Sequence, residues 1–228
     1  MRIVKIHLLY IFNRSNIAFV LLSMMILGVN AIVTYYNYIG FPNSILLELF
    51  FEDNLFIIRI VNNLLSCFIF CNSFNCKNDD YSFFLIPIIK SRRKYYNSKI
   101  ITIIGIVSLI FFLNFFSMII TGWLFIFSFV VDLSIIWKYL EIMVVAIEFG
   151  FISAIFTIIF KNLYVFIFVF IVSLFSMALI DSNVETIVGY FIPIINGTIT
   201  NGYLYNGLYF LIILIIGNLI YNNLDLKK

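Results

Sequence analysis

Ile100-Ile101-Thr102-Ile103-Ile104-Gly105-Ile106-Val107-Ser108-Leu109-Ile110-Phe111-Phe112-Leu113-Asn114-Phe115-Phe116-Ser117-Met118-Ile119-Ile120-Thr121-Gly122-Trp123 runs without a single charged side chain. The hydrocarbon core of a bilayer is about 30 Å thick, so a helix needs about 20 mostly apolar residues to cross it. This stretch meets that criterion. On the same criterion the other spans are Ile17–Tyr36, Leu55–Phe74, Leu140–Phe160, Leu163–Ile180 and Gly207–Tyr221. Leu124–Val131 is also apolar, so the third span either ends later or continues as a surface segment. The expected fold is all-α: one polytopic membrane domain of six spans.

Composition agrees. Of the 228 residues, 64% are hydrophobic and 11% charged, against roughly 45–50% apolar and about 25% charged in a soluble domain. So few charges cannot coat a water-facing surface of this size, and lipid must be the solvent for most of the chain. The formal charge is only +3. No segment is long and polar enough to form the basic domain that a nucleic-acid partner would require. The three cysteines, Cys67, Cys71 and Cys76, share one apolar stretch without histidines, which reads as helix packing and not as a metal site.

Orientation follows from the basic residues. With the amino terminus inside, Arg2, Lys5, Arg14, Lys77, Lys90, Arg92, Arg93, Lys94, Lys99, Lys161, Lys227 and Lys228 are all cytoplasmic, leaving only Arg59 and Lys138 elsewhere. Glu48, Glu52, Asp53, Asp132, Asp181 and Glu185 fall on the opposite side. Six spans with both ends inside a plasma membrane respect this pattern. Residues 1–16 interleave Arg2, Lys5 and Arg14 with apolar side chains, which reads as an interfacial helix or as simple flanking charge. On the far side, residues 181–206 are apolar but broken by Gly189, Pro193, Gly197 and Gly202. That pattern fits a partly re-entrant segment or a surface loop.

The cytoplasmic connection of residues 75–99 carries the most information. Asp79 or Asp80 can cap a short helix through Phe83–Ile86, which Pro87 stops or turns. A basic, aromatic run follows to Lys99. Flanking charge alone does not call for apolar Phe83–Ile89 ahead of that run; apolar groups beside cations fit a surface that docks on another protein.

An apolar helix, a proline, and then Ser91-Arg92-Arg93-x-Tyr95-x-x-Ser98-Lys99 opening a span resembles the ABC-2 type permeases of bacterial ABC transporters. The six-span layout, the amino-terminal helix and the long outer loop are similar too. One departure is that Pro87 stands further ahead of Ser91 than is common in that family. The resemblance implies that Tyr81, Phe83, Phe84, Leu85, Pro87, Arg92, Arg93, Tyr95 and Lys99 form a coupling segment that docks on a separate ATPase subunit. It further implies that ATP and Mg2+ are held by that subunit, and that a second permease copy or a paralogue completes a homo- or heterodimer. The chain itself has no GxxxxGK[ST] phosphate loop. Compact permeases of this kind resemble those of low-GC Gram-positive bacteria that export, or give immunity to, amphipathic peptides.

Three ionisable residues fall at membrane depth: Arg59 in the second span, and Glu141 and Glu148 in the fourth. Such groups cost at least ~2.5 kcal/mol near the bilayer centre, so they usually face a partner or a wet cavity. Arg59 and Glu141 lie near the outer ends of their spans and can snorkel. Glu148 is deeper and is expected to face the bundle interior, paired with Arg59 or lining a substrate path. Asn62, Asn63 and Asn114 are polar at depth and can bond between helices.

Direct catalysis is not expected. The one histidine, His7, is placed in the amino-terminal helix outside the bundle, and no HExxH, GxSxG or paired intramembrane aspartates occur. The expected function is ATP-driven export by a permease subunit. Two other classes remain open: a membrane-embedded capture subunit of an importer, as in energy-coupling-factor systems, and a stand-alone bacteriocin-immunity protein. A permease needs the Phe83–Lys99 docking segment, and the others do not.

Overall fold

A computed structural model of the protein describes residues 7, 11–37, 46–74, 91–125, 133–160, 162–181 and 202–223. Among them the chain forms six helices and no strand: α1 (Arg14–Asn37), α2 (Leu46–Phe74), α3 (Arg92–Phe125), α4 (Leu133–Ile159), α5 (Asn162–Asp181) and α6 (Gly202–Asn223). Helices are forced here, because backbone groups facing lipid find no water and must bond within their own segment. Four of them are long and apolar enough to cross a membrane: Arg14–Asn37, Phe51–Phe74, Arg92–Leu124 and Leu133–Thr157. The apolar stretches Leu163–Phe175 and Gly207–Ile220, in α5 and α6, are shorter.

The helices begin earlier than hydropathy alone places the spans. At α1, the Asn16 backbone N–H donates to Asn13 Oδ1 at 2.7 Å, which makes Asn13 an N-cap. At α3, the Lys94 N–H lies 3.4 Å from Ser91 Oγ and the Tyr95 N–H donates to the Ser91 carbonyl at 3.1 Å. The basic run Arg92–Lys99 is therefore not a connecting segment. It forms the first two turns of a helix about 50 Å long, well beyond a core of about 30 Å.

α2 is the central helix. It packs most extensively on α4 and also touches α1, α3 and α5. α6 rests on α3 and α4. Contacts fix the relative directions. Asn16 meets Asn72 while Asn30 meets Asn54, so α1 and α2 are antiparallel. Glu52 meets Lys138 and the Cys67 carbonyl meets Ser153, so α2 and α4 are parallel. Phe156 packs on Phe168 across the short turn between α4 and α5, which are antiparallel. Phe151 meets Phe210 and Ile155 lies beside Gly217, so α4 and α6 are parallel. One end of the bundle thus gathers Arg14, Arg92, Arg93, Lys94 and Lys99. The other gathers Glu48, Glu52, Asp53, Lys138 and Asp181.

The packing of α1 is inverted relative to a soluble bundle. In α1 the buried residues are Asn16, Ser23, Leu27, Ala31 and Thr34, while Leu21, Leu22, Met25, Val29 and Val33 point outward. On α1, small and polar groups face the interior and large apolar ones face what must be lipid, while α2, α3 and α4 bury a core of large apolar side chains such as Leu65, Phe70, Phe111 and Phe151. α2 and α4 approach closely at Gly150. A Cβ added at Gly150 would run into the Phe70 ring and Ser66 Oγ. Cys67 and Cys71 pack against Phe149, Val165 and Val169, as their helical spacing predicts; Cys76 lies outside the described residues.

Candidate functional site

Two polar assemblies and one isolated carboxylate stand out in the bundle. The first assembly is a chain of hydrogen bonds through its middle. Asn114 of α3 donates from Nδ2 to Ser23 Oγ of α1 and to Asn62 Oδ1 of α2, each at 3.4 Å. Asn62 Nδ2 donates to Tyr139 Oη of α4 at 3.4 Å, and that hydroxyl donates to the Phe111 carbonyl at 2.8 Å. Beside it, Asn63 Nδ2 donates to Ser173 Oγ of α5 at 2.9 Å. All six side chains, Ser173 among them, are buried. In lipid a buried amide without a partner is costly, so each bond is worth about 0.6–2 kcal/mol of helix association. Asn62, Asn63 and Asn114 are legible as polar at depth; their partners Ser23, Tyr139 and Ser173 carry no sequence signal.

The second assembly closes the basic end. Lys99 is only 4% exposed, and its ammonium lies 4.8 Å from the Phe74 ring centroid and 5.6 Å from that of Tyr95. Cation–π contacts of this kind contribute about 0.5–2 kcal/mol. His7 corrects the sequence reading. It is not outside the bundle but buried, with Nε2 3.3 Å from Ser98 Oγ and its ring edge-on to Tyr95 at 5.2 Å. An imidazole with a hydroxyl partner and an aromatic neighbour leaves water at little cost.

The expected coupling residues divide accordingly. Arg93 is exposed and Arg92 half-buried on the first turn of α3, while Tyr95 and Lys99 are turned into the chain's own interior. Tyr81, Phe83, Phe84, Leu85 and Pro87 lie outside the described residues, as does most of the expected interfacial helix and of the segment 181–206.

Glu148 is fully buried, as expected. It lies near the middle of α4. Yet it takes no part in the central network. Tyr139, Gly150 and Ser153 face α2. Glu148 lies on the other side of α4 with Ile155, toward α6, where Tyr209 is within its electrostatic reach. Phe151, between the two sides, packs on both Phe70 and Phe210. Neither carboxylate oxygen accepts a hydrogen bond from Arg59 or any other described residue. The Glu148–Arg59 alternative is therefore not realised. Arg59 and Glu141 are half-buried nearer the acidic end. Lys138, which departs from the charge asymmetry, is bridged to Glu52 at 3.3 Å.

No family model, no curated protein and no solved structure matches the chain. Function must be argued from the site itself.

Proposed function

We propose that this chain is the permease subunit of a bacterial ABC exporter, spanning the plasma membrane six times with both termini in the cytoplasm. A separate ATPase subunit supplies ATP hydrolysis with Mg2+, and a second permease copy or paralogue completes the transporter. The cargo is an amphipathic or otherwise hydrophobic peptide.

The observation that carries this reading is the start of α3. Arg92, Arg93 and Lys94 occupy the first turn of a helix, where the macrodipole disfavours cations by about 0.3–1 kcal/mol each. Something outside the helix must offset that cost. Anionic headgroups do so on the cytoplasmic face, and a docked acidic partner does so further. Ser91 and the apolar Phe83–Ile89 lie immediately ahead, and α3 runs unbroken from there into its apolar span. A displacement at Arg92 is thereby transmitted along a rigid rod. The alternating helix directions and the segregation of basic and acidic ends support the six-span, both-ends-inside arrangement.

A stand-alone immunity protein is the second reading, favoured by one observation. Tyr95 and Lys99 are spent on the chain's own interior, against His7 and Phe74, and offer nothing to a docked subunit.

The test is purification of tagged protein from its native membrane, with mass spectrometry and an ATPase assay. Recovery of a Walker-A ATPase, lost when Phe83, Phe84 and Leu85 are changed to aspartate, is the expected result. Recovery of the chain alone from both proteins moves the assignment to the immunity reading.

A further inference from the structure

An ionisable group held inside a bilayer is either neutral or meets a counterpart at some point in the working cycle, because lipid offers none. Glu148 has none among the described residues. The parts of α1, α3 and α5 that lie at its level, and all of α6, carry no charged residue. Away from the basic end, the basic residues of the described helices are Arg59 and Lys138. Lys138 is bonded to Glu52 at the rim, and Arg59 donates nothing to either Glu148 oxygen. The fold therefore holds a carboxylate at mid-depth with both acceptor oxygens open, on the face of α4 that α6 covers.

The surroundings narrow what can satisfy it. Phe151 and Phe210 meet edge-to-face with ring centroids 5.1 Å apart, and Ile155 and Tyr209 flank the same seam. A bare divalent ion needs about six oxygen ligands, which one carboxylate and a phenol cannot supply. An organic cation needs less: an anion for its charge, aromatic faces for its N–H groups and apolar walls for its stem.

We propose that Glu148 is the recognition point for a cationic group of the cargo, a primary ammonium or guanidinium, admitted between α4 and α6. This deepens the transport reading and rests on it only for the fate of the bound group; binding itself requires no ATPase. Because Glu148 is buried, admission requires α6 to part from α4 at the level of Phe210. α6 is suited to that role, resting on α3 and α4 alone among the more extensive helix contacts.

The probe is tritiated decylammonium, bound at equilibrium to the purified full chain on scintillation-proximity beads, with decanol as its uncharged match. Saturable binding of decylammonium that decanol does not displace is expected of the wild type. Glu148→Gln should weaken it by about tenfold or more, the loss typical of one charge-assisted contact. Glu148→Asp should keep most of it, and Glu52→Gln at the rim should bind as wild type. Equal displacement by decanol, or full binding by Glu148→Gln, overturns the proposal. The charged-versus-uncharged comparison needs no variant, so it decides the matter even where Glu148→Gln fails to fold. Cation binding without any co-purifying ATPase would sink the permease reading and leave this one standing; an ATPase partner without cation binding would do the reverse.

Discussion

Gly150 is the position where the packing can be tested most directly. α2 and α4 share the largest interface of the bundle, and Gly150 lies within it. A single added carbon there would overlap the Phe70 ring and Ser66 Oγ. Both residues are fully buried, and the Phe70 ring is held against Phe151 at 5.1 Å, so neither can swing away freely. Overpacking of this kind costs about 1–3 kcal/mol. For alanine, the better helix propensity returns about 1 kcal/mol, which leaves a net loss of about 0–2 kcal/mol. Leucine carries the same overlap further with no added return, so its loss should reach or exceed about 3 kcal/mol. Thermal unfolding of purified protein in mild detergent, followed by size-exclusion fluorescence, should rank wild type above Gly150→Ala and both above Gly150→Leu. Adding Phe70→Leu should recover part of the Gly150→Leu loss, because the two side chains compete for one space. A Gly150→Leu protein as stable as the wild type would refute the close approach of α2 and α4 at Gly150.

Three further outcomes follow from the hydrogen bonds and charges. Asn114→Leu removes the donor shared by Ser23 and Asn62, and should lower stability by about 1–3 kcal/mol in the same assay; an unchanged midpoint would mean the central network is not formed. Lys99→Met keeps the stem but discards the ammonium held by Phe74 and Tyr95. Its loss should stay below about 2 kcal/mol, with glycosylation-site mapping of the loops showing the same topology as the wild type. Lys138→Gln breaks a bridge whose partners are 40% and 54% exposed and should shift stability by less than about 1 kcal/mol. A larger drop would mark Lys138 as buried against something beyond Glu52.

Hydropathy locates the helices well and their ends poorly, for one physical reason. It registers only the part of a helix that lipid must accept. α3 is the clearest case, since Ile100–Trp123 is unmistakable, while Arg92–Lys99 is too charged to register although Ser91 caps it into the same helix. α4 likewise starts seven residues before Leu140. Ser91, with a backbone donor three residues on, is a legible cap in hindsight. His7 could not be read correctly, because its burial depends on Ser98 and Tyr95, more than eighty residues away. Glu148 shows the complementary case. Sequence places it at depth, but its direction, away from Asn62 and toward α6, depends on which face of α4 meets α2, and Gly150 decides that.

The two carboxylates seven residues apart on α4 show how burial separates similar groups into different roles. Glu141 and Glu148 lie two turns from one another on one helical face. Glu141 is half-buried near the acidic end, where headgroups and water are close at hand, and no special arrangement is needed to keep it there. Glu148 is sealed near the middle of α4, and no described residue bonds to it. Replacing it with leucine would remove a polar burial penalty and cost the fold little, so structure alone gives no reason for a carboxylate at this position. The polar residues of the central network make the contrast plain: Asn62, Asn114 and Tyr139 are each bonded to a neighbouring helix. Those groups hold the bundle together. A carboxyl group that does not is free to meet a cation that arrives, and it lies where α6 can let one in.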